Sequence, residues 1–147
     1  MEENFLECFD FIFKWAGTWS YSRYKGKSKM YGISQYEYDR YKTINGEAKQ
    51  SVKFISNDEL KGIYMQYWTS SESWRLKFPL ALIYFDTVLN EGLQLAKEFL
   101  KKANGDVEEF LKLKQQYVYD LSVTSDDENK IKSWQSRYND LKQTVGY

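Results

Sequence analysis

Apolar side chains recur at helical spacing along most of the chain. Phe5, Phe9, Ile12, Phe13 and Ala16 form the first such stripe, and a helix is expected beneath it. Ser34 and Glu37 have capping-box spacing and open a short helix through Tyr41. Ser56 and Glu59 repeat that spacing ahead of Leu60, Ile63, Tyr64, Tyr67 and Trp68. Pro79 suits the first turn of a helix running to about Asn90. The helical pattern continues from Glu91 to Ala103, with a break at Gly92 and a stop at Asn104-Gly105. Asp106 and Glu109 cap the next helix, through Phe110, Leu113, Tyr117 and Leu121. Ser125 and Glu128 cap the last, through Ile131, Trp134, Tyr138 and Leu141. Four helices are thus expected to start with the same local chemistry.

Thr18 to Tyr31 departs from this pattern. Arg23, Lys25, Lys27 and Lys29 alternate with Ser22, Tyr24, Gly26 and Ser28, which reads as a small hairpin or extended loop. No repeat, low-complexity tract or linker divides the sequence. The expectation is a mainly α fold in a single domain over residues 1–147, with a small β excursion after the first helix.

Composition narrows the chemistry. The 147 residues suffice for one substantial core, and an aromatic share of 18% is best placed inside it. The 21 basic and 21 acidic residues cancel, which argues against a general nucleic-acid binder. The absence of histidine removes Ser-His and Cys-His nucleophile pairs and any histidine-ligated metal. Cys8, the sole cysteine, makes no intrachain disulfide and no thiolate cage; as a small buried hydrophobe it fits the first helix. Neither a metal nor an organic cofactor is expected. No apolar run approaches membrane-spanning length, and no signal peptide opens the sequence. Synthesis in the cytoplasm is expected, with any export by another route.

Several side chains remain as candidates for a site. Gly26-Lys27-Ser28 resembles the end of a phosphate-binding loop, but Tyr21 stands where the rule needs a glycine. The cations up to Lys29 suit an acidic partner or anionic glycan, or simply protect a sheet edge. Asp86 interrupts the apolar run Ile83-Tyr84-Phe85-Asp86-Thr87-Val88-Leu89 and needs a hydrogen-bonding partner there. It either ties a structural element to the core or lines a cleft. Trp19 and Trp74, flanked by polar residues, are the tryptophans best suited to stack on a sugar ring.

Taken in order, these features resemble the glycoside hydrolase family 108 N-acetylmuramidases, lysozyme-like proteins of phage lysis cassettes and secretion activators. That family has an amphipathic helix ending in Glu-Gly-Gly-Tyr, an Asp-Pro-Gly-Gly-x-Thr loop, and then Gly-Ile-Thr or Gly-Ile-Ser. This chain has Ala16-Gly17-Thr18-Trp19, Gly26 and Gly32-Ile33-Ser34. Ile63-Tyr64-Met65-Gln66-Tyr67-Trp68 is similar to the family's Ile-Tyr-x-x-Tyr-Trp helix end. Pro79-Leu80-Ala81 and Phe85-Asp86-Thr87-Val88-Leu89-Asn90-Glu91-Gly92 match its next helix. Ser133-Trp134-Gln135-Ser136-Arg137 resembles its closing Gly-Trp-x-x-Arg.

The resemblance implies a lysozyme-like fold and also a departure from it. The family's catalytic glutamate aligns with Ala16, its loop aspartate near Tyr24 and its loop threonine near Lys29. Glycoside cleavage needs a proton donor at the leaving oxygen, and alanine supplies none. Glu72 and Glu37 are the weak substitutes among the other carboxylates, although Glu37 is explained as a cap. The expectation is a catalytically degenerate module that binds peptidoglycan or another glycan through Trp19, Tyr24, Lys29, Trp74 and Asp86. A protein partner in a larger assembly is implied, with a phage particle or release by lysis as the setting. The alternatives are an active peptidoglycan hydrolase with a relocated acid, and an interaction subunit without glycan affinity.

Overall fold

The computed structural model describes residues 2–17, 20–22 and 27–147. Trp19, Arg23, Tyr24, Lys25 and Gly26 lie outside the described residues. The first helix, α1, spans Glu2–Trp15, and Ala16 follows its last turn. Three short strands come next: β1 (Ser20–Ser22), β2 (Lys27–Met30) and β3 (Ile33–Ser34). They form one antiparallel sheet in chain order, with Ser20 opposite Lys29 and Lys29 opposite Ser34. The β2–β3 connection is the pair Tyr31-Gly32, with φ of 49° and 80°. Positive φ at both positions is the two-residue hairpin geometry that matches strand twist.

Six further helices follow: α2 (Gln35–Ile44), α3 (Asn57–Ser70), α4 (Leu80–Glu91), α5 (Leu93–Ala103), α6 (Val107–Thr124) and α7 (Glu128–Thr144). The fold is mainly α with a small sheet, as the pattern predicts. Serine caps explain two of the helix starts. Ser34 and Ser56 each accept the N–H of the third helical residue, and Glu37 and Glu59 reach back to the cap N–H. Asp106 accepts the Glu109 N–H, but Glu109 turns to Lys112 instead of closing a box. The expectation for Ser125 is corrected. Asp127 caps α7, accepting the N–H groups of Asn129 and Lys130, while Ser125 ends α6. Aspartate next to the helix has the shorter reach and a charge that favours the helix N-terminus. Pro79 stands at the cap of α4, one residue ahead of its first turn. Gly92 separates α4 from α5 at φ 102°, and Asn104 ends α5 at φ 52°.

Helix α4 is the centre of the core. Ala81 to Thr87 are all buried, and α4 packs against α1, α5 and α6. Trp68 of α3 sits edge-on to Phe85, with ring centroids 5.1 Å apart, and meets Phe5 of α1 at 5.8 Å. Phe99 of α5 meets Phe110 of α6 at 5.8 Å. Cys8 is buried in this core, and burial pushes its thiol up to about 12, aided by the charge of Glu7. Among the described residues no helix is long and apolar enough to cross a membrane.

Candidate functional site

A cleft of about 440 Å³ lies beside Ala16, where α1, the sheet, α2, α3, α4 and α7 converge. The end of α1 supplies Trp15 and Ala16, and the sheet supplies Lys29, Gly32 and Ile33. Glu37 enters from the first turn of α2, Tyr64 and Tyr67 from α3, Asn90 from the end of α4, and Arg137 from α7. Gly32 lets the hairpin approach closely. A Cβ built there would lie 2.7 Å from the Tyr64 hydroxyl oxygen and 3.5 Å from the Ala16 Cβ. The Tyr64 hydroxyl donates to the Tyr31 carbonyl at 2.8 Å, pinning the turn to α3.

Glu37 has both carboxylate oxygens engaged as acceptors. Its Oε1 receives the Ser34 backbone N–H at 3.2 Å and the Ser34 hydroxyl at 2.9 Å, and its Oε2 receives the Tyr67 hydroxyl. Burial and this contact push the Tyr67 phenol well above its ordinary range. Burial also lifts Tyr64 to about 12, with the charge of Glu37 adding. Between Asp10 and Glu37 the chain contains no carboxylate. Neither the end of α1 nor the hairpin therefore brings an acid to the cleft.

Residues 9–92, more than half of the chain, match the family model described as Glycosyl hydrolase 108. The chain belongs to the glycosyl hydrolase 108 family. It is thus a lysozyme-like, peptidoglycan-related protein. No curated protein and no solved structure matches it. In this glycosyl hydrolase 108 member, the matched segment carries every element of the cleft except α7.

The sequence candidates fall in four places, the last being that of Asp86. Ala16, Lys29 and Glu37 share the cleft. Trp74 and Glu72 do not line it. Trp74 sits half-exposed on a short 3-10 turn, Ser73–Arg75, with the Arg75 guanidinium 5.3 Å from its ring centroid. Glu72 precedes that turn with φ 59° and pairs with Arg75 at 3.3 Å. Trp19 and Tyr24 fall outside the described residues.

Asp86 is fully buried behind the cleft and is not one of its lining residues. Its Oδ1 accepts from Arg137 Nε at 3.1 Å and Nη2 at 2.6 Å, while Lys114 Nζ stands 3.0 Å from Oδ2. Burial alone would raise the Asp86 carboxyl; Lys114 and Arg137 outweigh it and hold the carboxyl below the usual range. Asp86 also borders a second cavity of about 370 Å³ between α4, α6 and α7, which shares Asn90 and Arg137 with the cleft. On the other side, a groove of about 330 Å³ between α2 and α3 shares Glu37 and Tyr67 with it. The hollow beside Ala16 therefore shares wall residues with two neighbouring hollows.

Arg137 and Tyr67 are the site residues that motif reading names without giving them a site role. The signal for Arg137 was Asp86, because a carboxylate inside an apolar helix demands a cation from elsewhere in the chain.

Proposed function

We propose that this family member binds peptidoglycan glycan strands without cleaving them. One observation carries the reading: the cleft is retained, but the only carboxylate lining it among the described residues, Glu37, is occupied on both oxygens as a hydrogen-bond acceptor. A general acid needs a protonated oxygen aimed at the leaving group, and such a group contributes about 10²–10⁴-fold to the rate. At the end of α1, where the family resemblance puts the catalytic glutamate, this chain has Ala16. Lys29 and Arg137 in the same cleft would favour the charged form of any carboxyl added there, the wrong state for an acid.

Incubation with purified peptidoglycan sacculi tests this. The protein is expected to sediment with the sacculi and to release no soluble muropeptides. Release of muropeptides that is abolished by Glu37→Gln would instead establish a hydrolase with a relocated acid. That second reading is favoured by one observation, the place of Glu37 in the same cleft as Ala16. Failure to sediment would leave an interaction subunit without glycan affinity. The proposal extends to the setting: a phage particle or phage-derived assembly in which this module meets a protein partner.

A further inference from the structure

Helix α2 carries a ridge on its outer face. Tyr36, Arg40 and Ile44 follow at four-residue spacing and so share one side of the helix. All three are exposed, Tyr36 at 75% and Ile44 at 65%. A hollow lies on each side of the ridge, and these three residues line both. One hollow is the groove between α2 and α3. The other, of about 470 Å³, is completed by Asp39, Thr43 and Lys49. Gln35 ties the α2 wall of this outer hollow to the chain just after Lys49. Its side-chain amide donates to Asp39 Oδ1 at 2.9 Å and to the Gln50 carbonyl at 2.8 Å, and its Oε1 accepts the Val52 N–H at 2.7 Å. The hollow is thus held open before anything enters it, which lowers the cost of binding there.

The ridge is complementary to itself. Helices pack by laying the four-residue ridge of one into the groove beside the ridge of another. A twofold axis at the middle of α2 does this for two copies at once. Each ridge then lies antiparallel in the outer hollow of the other copy, with the Tyr36 end over the Ile44 end. The charges obey the same symmetry. Arg40 is the centre of the ridge, and Asp39 lines the outer hollow beside it. Neither forms an ion pair among the described residues; Asp39 has only the neutral Gln35 amide on its carboxylate. Around the axis each Arg40 meets the Asp39 of the other copy, so four charges of alternating sign close the centre. Lys49 is exposed at the rim, where its long stem lets the ammonium stay in water. Glu37 and Asp39 balance Arg40 and Lys49 over the ridge and its two hollows, which suits a like surface and not a polyanion.

We propose that this face of α2 pairs two copies of the chain about a twofold axis, with Tyr36 and Ile44 as apolar contacts and Arg40 paired to Asp39 across the axis. The inference is independent of what the cleft binds, because the outer hollow and the cleft have no lining residue in common. One helix face is a small interface, so the pairing belongs with the reversible ones that bury less than about 1,200 Å².

Sedimentation velocity of the full chain tests this over a concentration series from about 5 to about 500 µM, the span suited to a small interface. The chain is expected to pass reversibly from monomer to dimer across the series. Ile44→Asp and Tyr36→Ser remove the apolar contacts, and each is expected to weaken the dimer about tenfold or more. Arg40→Asp brings four carboxylates together at the axis and is expected to weaken it by a similar factor, about tenfold or more. Combining Arg40→Asp with Asp39→Arg restores opposite charges across the axis and is expected to recover most of the loss. Tyr36, Arg40 and Ile44 are exposed, so their variants keep the fold, which circular dichroism checks. A monomer at every concentration overturns the proposal, as does a dimer that Ile44→Asp and Arg40→Asp both leave intact. A double exchange no tighter than Arg40→Asp alone overturns the pairing of Arg40 with Asp39.

Discussion

Gly32 shows what one residue does for the cleft. Its φ of 80° lies in the left-handed region, and the space its missing side chain leaves is filled by the Tyr64 hydroxyl. Tyr31 beside it also holds positive φ, at 49°, fixed by the bond from Tyr64 to its carbonyl and by Phe13, whose ring centroid is 4.9 Å from its own. Gly32→Ala is therefore expected to cost about 1–3 kcal/mol, from backbone strain plus the displaced tyrosine. Tyr64→Phe removes the oxygen that the new methyl would strike. The double variant should then cost less than the sum of the singles in urea unfolding. Strict additivity would show that the close approach is not what makes glycine necessary. The sequence marks Gly32-Ile33-Ser34 clearly, but the reason for the glycine lies on α3, more than thirty positions away, where no local pattern reports it.

At the scale of elements, the start of α3 is the most heavily tied. Glu59 closes its capping box with Ser56 and also receives the Tyr38 hydroxyl of α2 and the Lys42 ammonium at 2.6 Å. Burial works to raise the Glu59 carboxyl, but Lys42, Ser56 and Tyr38 together outweigh it and bring it from its ordinary 4.5 to about 2. A folded-state value below the unfolded one gives stability that is present above pH 4.5 and is lost as pH falls toward 2. The stability difference between the native chain and Glu59→Gln should accordingly be largest above pH 5 and shrink steadily down to about pH 2. A difference that stays constant over that range would mean that Glu59 acts by packing, not charge. The Ser-x-x-Glu spacing made this helix start legible, as it did for α2. The same spacing at Ser125 misled, because sequence alone does not say which of two neighbouring oxygens captures the free N–H groups. Asp127 lies closer and wins. The site divided in the same way. Ala16, Lys29 and Glu37 meet because they flank one hairpin, whereas Trp74 sits on the turn after α3 and does not line the cleft, and its polar flanks gave no sign of that.

Across the whole molecule, Asp86 joins the segment matched to the family with the part beyond it. Its carboxylate on α4 meets Lys114 of α6 and Arg137 of α7, and Lys114 also holds Thr87 at 3.0 Å and Glu91 at 3.2 Å on α4. The side chains of Asp86 and Lys114 are almost entirely removed from water, at 1% and 4% exposure. Charges so placed are costly singly and tolerable together, so removal of one is felt by the others. Asp86→Ala is expected to lower stability by about 3–5 kcal/mol, the range for stranding a buried partner charge. Asp86→Leu combined with Lys114→Met removes both buried charges and should recover a large part of that loss in urea unfolding, since a hydrophobic replacement of similar volume is often neutral or better. Arg137 gains no such relief, because its anchor is absent in both variants. Glu91 likewise loses Lys114, so recovery in the double variant is expected to stay short of native stability. Full recovery would show that Glu91 and Arg137 are solvated at little cost once the cluster is gone. A cost below about 1 kcal/mol for Asp86→Ala would show that the three helices are held by their apolar faces without this charge cluster.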